Sequence, residues 1–205
     1  MGMRKMKSSG ADGIARHWFP LPLLAVAHLS GVLLGIGCIK LLGPSEGLCT
    51  YLGDYLASVA GSEDVVVSLG SVVWAVVRWV IPLMAGGLFA IGLITVPLVL
   101  AVHGFFLSCA IAAMLMAFQR AGIWLCVVTF GVQTLLIFPA LLMIGVESFS
   151  SAVERTSLGK PFETERNGLG VSFALLPSVG LLLLGIALQY TVMPGLLRAV
   201  SQRLL

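Results

Sequence analysis

Charge is what this chain has least of. Asp, Glu, Lys and Arg make up 10% of its 205 residues, whereas soluble domains carry roughly 25%. That shortage, with 59% apolar residues and a mean hydropathy of +1.06, excludes a disordered chain and points to a lipid bilayer. Cysteine is also scarce: there are four, with no CxxC pair, too few for a disulfide scaffold. Cys38 and Cys49 can approach each other at the outer face, but a buried thiol behaves as a small apolar residue, so no disulfide is expected. No HExxH, Walker sequence, Gly-rich phosphate loop or Ser-His-Asp constellation occurs, so no argument for an enzyme arises. His17, His28 and His103 lack metal-ligand spacing, and neither metal nor cofactor is expected. No basic face interleaved with stacking aromatics is present, which removes nucleic acid as a partner.

What is present is a series of apolar runs near the ~20 residues that cross a ~30 Å hydrocarbon core. They predict an all-α, polytopic helical bundle forming one membrane domain over residues 1–205, with crossings at 20–42, 79–102, 104–118, 123–146 and 170–193. Arg4, Lys5, Lys7 and Arg16 precede the first, so the N-terminus is expected in the cytoplasm of a cell-membrane protein. Ala25-Val26-Ala27 has the form of a signal-peptide cleavage site, but the apolar stretch before it is short and runs on well past it.

Residues 43–64 hold Glu46, Asp54, Glu63 and Asp64 and no Lys or Arg. They open an extracytoplasmic loop, 43–78, that ends in an interfacial helix. Trp74 and Trp79 anchor it at headgroup level, and Arg78 snorkels to the outer surface. His103-Gly104 marks the next turn, placing His103 in solvent rather than in a proton relay. Gln119 to Gly122 makes another. The polar stretch 147–169 is a cytoplasmic loop, where Glu147 and Glu154 share one face of a charged helix end. Five crossings put the C-terminus outside the cell; a sixth, over 65–81, brings it inside with a similar Lys/Arg balance.

Within the crossings, glycine is the most informative residue. Gly31 and Gly35 form a GxxxG in the first, and others recur through the later ones. In lipid such residues let helix backbones approach closely, and van der Waals packing drives association. Gln133 sits mid-crossing as a hydrogen-bonding residue between helices. Pro97 and Pro139 each lie inside a helix and free a carbonyl that neighbours must satisfy.

The order Ile91-Gly92-Leu93, His103-Gly104, Gly122, Gln133, Pro139-Ala140 and Gly145, closed by Gln189-Tyr190-Thr191-Val192-Met193-Pro194, resembles the stage II sporulation protein M family over roughly residues 20–205. The chain departs from that pattern at Val132, where the family often has Pro, and at His103, where it often has a basic residue. The resemblance implies a scaffold rather than a catalyst. Members act in endospore formation and hold two peptidoglycan-degrading partners, stage II sporulation proteins D and P, at the septal membrane during engulfment. On this reading Gly31, Gly35, Gly92, Gly104, Gln133, Pro139, Gly145 and Pro194 are candidate packing or partner contacts. The faces bearing Gly31 and Gly35, with the outer loop, are the expected docking sites. The alternative is a small permease or transporter subunit, motivated by the proline- and glycine-interrupted helices; it requires a hydrated cavity lined by His103 or Gln133.

Overall fold

The computed structural model describes residues 20–43, 47, 50, 54, 68–89, 91–158, 175–192, 194–196 and 199. Among the described residues there is helix and no strand. Five helices are long and apolar enough to cross a membrane: α1 (Pro20–Leu42), α2 (Leu69–Leu88), α3 (Gly92–Arg120), α4 (Gly122–Val153) and α5 (Leu176–Leu196). The chain is a multi-pass, all-α membrane protein.

The helix boundaries differ from the sequence reading in an instructive way. No interfacial helix ends at Arg78: α2 runs straight through it as one 20-residue helix. An isolated Arg has good intrinsic helix propensity and gives the backbone no reason to stop. The first break instead falls at Phe89, whose backbone is extended (φ −125°, ψ 153°). Its carbonyl accepts a bond from the Gly92 amide at 3.0 Å. Gly92 packs directly on the Gly86 carbonyl, where any side chain would collide, and Gly87 lies tight against Ser148. Close approach at both ends of the turn is what glycine permits here. His103-Gly104 is not a turn, since both lie inside α3.

The second reversal matches expectation. Gln119 adopts φ 49°, ψ −121°, outside helical space, and Gly122 is seated on the Met114 carbonyl. Below this turn Leu125 and Cys126 pack on Met114. Cys38, Cys109 and Cys126 are free thiols; Cys49 lies outside the described residues.

The apolar span of α4 outruns the predicted 123–146, reaching Val153, and the helical path continues past it to Leu158. It also contains a π-helical turn, Gln133–Ile137. The turn ends two residues before Pro139, whose ring would strike the carbonyl four residues back in a regular helix. Widening the turn at that point relieves the crowding. The fifth helix is described from Leu175; the predicted start at 170 lies outside the described residues.

The direction of each helix follows from its contacts. His28 meets Leu100, Gly31 meets Ala101 and Gly35 meets Phe105 and Ser108, so α1 and α3 run parallel. Trp79 and Gly86 of α2 meet His103 and Val96 of α3, and Gly145 and Ala152 of α4 meet Leu100 and Gly92 of α3, so α2–α3 and α3–α4 are antiparallel, while Gly185 of α5 packs on Ile137 of α4. The up-and-down alternation of α1 to α4 fits successive crossings. The core between them contains Leu24, Val76, Leu83, Val96, Leu100, Ile137, Leu141, Ile144 and Leu182.

Candidate functional site

Polar chemistry at the centre of the bundle gathers around two histidines from different helices. His28 of α1 and His103 of α3 are both buried, with ring centres 5.6 Å apart. His28 stacks on Phe138 of α4 at 4.1 Å, and the edge of Trp79 from α2 meets His103 at 5.1 Å. Four helices therefore contribute one ring each.

His28 has a hydrogen bond that fixes it. Its Nδ1 lies 3.1 Å from the Leu100 carbonyl; a carbonyl only accepts, so Nδ1 carries the proton and donates. Gly104 makes room for this arrangement, because a Cβ there would sit 2.5 Å from the His28 carbonyl and 2.9 Å from its ring. His103 is different: it is 3% exposed, and neither ring nitrogen has a partner. Burial corrects the expectation of a solvated turn histidine.

The glycine positions are largely consumed inside the molecule. Gly31 rests on the Ala101 carbonyl, while Gly35 rests on the Phe105 carbonyl and the Ser108 hydroxyl. The Cys109 thiol reaches the Gly35 carbonyl at 3.5 Å. The GxxxG of α1 thus closes the α1–α3 seam, so of the two roles expected for Gly31 and Gly35 the structure places them in helix packing within the bundle. Small residues serve whichever backbone lies nearest, and here that is the chain's own. Gly92 closes the α2–α3 turn. Gly145 faces Leu100, Leu24 and Val96 at 3.3–3.6 Å. Pro139 follows the π turn, Pro194 is half-buried near the C-terminal end of α5, and the Gln133 side chain lies outside the described residues. Most of the stretch 43–67, expected as an outer loop, does so as well.

Arg78 is the residue whose position changes most. Instead of lying at the outer surface, it sits midway along α2, exposed, with its guanidinium 5.4 Å from the Trp79 ring centre. The pairing of the histidines has no sequence signal, because they are far apart in the chain. Arg78 had one: a lone charge inside an apolar run, which in a membrane marks a functional position by default.

Among the described residues, no three of His, Cys, Asp and Glu converge to hold a metal ion. An apolar notch beside the α2–α3 turn, lined by Pro82, Phe89, Ile91 and Thr95 among others, includes neither histidine. The chain matches no family model, no curated protein and no solved structure.

Proposed function

We propose that the chain is a non-enzymatic scaffold in the cell membrane, holding peptidoglycan-degrading proteins of the kind of stage II sporulation proteins D and P at the septal or engulfing membrane. Its N-terminus is cytoplasmic and its C-terminus extracytoplasmic on this reading. The observation that carries it is the way the bundle is closed. Glycine backbones at 31, 35, 92 and 104 lie directly against neighbouring helices, and aromatic and aliphatic side chains fill the space between. Such a body is rigid and offers fixed outer helix faces to the membrane anchors of other proteins. The resemblance to the stage II sporulation protein M family supports the same reading through the spacing of Gly92, Gly104, Gln133, Pro139 and Gly145. The test is affinity purification of the tagged full chain from sporulating cells. Both wall hydrolases are expected in the eluate, and a clean eluate without them contradicts the proposal.

A second reading, a small permease or transporter subunit, draws its support from His103, whose two buried ring nitrogens are without partners. Reconstituted into vesicles, a permease would show solute or proton flux that His103→Phe abolishes. The scaffold reading expects no flux in either form.

A further inference from the structure

We propose that the outer face of α2 is the docking surface for a membrane helix of a different protein, one that carries an Asp or Glu near its midpoint to pair with Arg78. The inference rests on the scaffold reading and names the surface by which the scaffold holds a partner.

Ser71, Trp74, Arg78, Ile81 and Met84 recur at spacings of three and four and are all exposed, while Val72, Val76 and Leu83 on the opposite side are buried. Four of the five are unremarkable against lipid. Arg78 is not. It stands nine residues from Leu69 and ten from Leu88, about 14 Å and about 15 Å from the two helix ends at 1.5 Å per residue. The neighbouring Trp79 touches His103, which lies eleven residues from the start of α3. A guanidinium at that depth is too far from either surface to reach phosphate without deforming the bilayer, and charged residues there almost always face protein or water.

The backbone adds a second unmet group at the same place. Pro82 lies inside α2 and has no N–H to give the Arg78 carbonyl four residues earlier. Arg78 thus presents guanidinium donors beside a main-chain acceptor that lacks its regular helical donor.

The sequence argues for the identity of the occupant. Residues 65–146 contain no Asp or Glu, and neither do the apolar runs of α1 and α5. The one carboxylate inside a spanning helix, Glu147, lies next to Ser148, which packs against Gly87 at the far end of α2. A second copy of this chain docked at the same level would bring Arg78 no carboxylate. A carboxylate on a foreign helix satisfies the guanidinium, and the low dielectric strengthens the pair.

The test uses the full chain in its own membranes, with the photoreactive residue p-benzoylphenylalanine replacing Ile81, close to Arg78 on the same face. The expected product is an adduct with a protein whose membrane helix bears a central Asp or Glu. Its yield falls at least ten-fold in Arg78→Leu and is largely kept in Arg78→Lys. Arg78→Asp restores it when the partner's acid is changed to Lys. That reciprocal rescue separates lost pairing from lost folding. An adduct with a second copy, with lipid alone, with a protein lacking such an acid, or no adduct at all, overturns the inference, as does an unchanged yield in Arg78→Leu. If the captured protein has the central acid but is not a wall hydrolase, this inference stands and the proposed function falls.

Discussion

The α1–α3 seam and the outer face of α2 are two helix surfaces with opposite completeness. Along the seam, Gly31, Gly35 and Gly104 bring main chain against main chain, and His28 donates to the Leu100 carbonyl. On α2, Arg78 lies at the same depth with the Trp79 ring beside it and no carboxylate paired to it among the described residues. The difference teaches where this molecule ends: the first surface is finished within one chain, whereas the second needs something from outside. Stability therefore resides in the seam and partner selection on α2.

The comparison breaks most visibly at Gly31. Gly31→Leu drives a side chain into the Ala101 backbone, which cannot yield as a flexible side chain would. A loss of about 3 kcal/mol or more is expected, read as a large fall in Tm in detergent. The opposite sign is expected on α2. Arg78→Leu removes a charge exposed to lipid and stabilises the isolated chain by up to about 3 kcal/mol, while partner capture is lost. A destabilised Arg78→Leu chain would show that Arg78 has a structural mate within the molecule.

A smaller effect sharpens the account of the histidines. His28→Ala removes the stack on Phe138 and the bond to Leu100 and is expected to cost about 2 kcal/mol. The smallest is a control on the seam helix itself. Nothing lies within 4 Å of a Cβ built on Gly37, so Gly37→Ala is expected to change stability by no more than about 0.5 kcal/mol. If Gly37→Ala and Gly31→Leu were equally harmful, close backbone contact would not be what holds α1 to α3.

How much of this was legible beforehand depends on what kind of signal each feature leaves. The number of crossings and the whole of α1 follow from hydropathy, because one long apolar run is bounded by polar sequence on both sides. The reversal near Gln119 is also readable, where Gln and Arg interrupt an apolar stretch. The α2–α3 turn is harder, since residues 86–92 are entirely apolar and no polarity marks the break. Its available signal was glycine at both ends, Gly86-Gly87 and Gly92. A boundary at Arg78 places the second crossing about ten residues too late and His103 at a surface that it does not occupy. The His28–His103 pair, and the use of Gly31 and Gly35 inside the molecule, depend on which helices are neighbours. Periodicity within one helix does not contain that information.

The proposed holding role is tested most directly by imaging fluorescent fusions of the two wall hydrolases in sporulating cells that lack this chain. The account predicts that both lose their focus at the septum and spread around the membrane, and that the wild-type chain restores them. Hydrolases that remain focused at the septum without it would contradict the account.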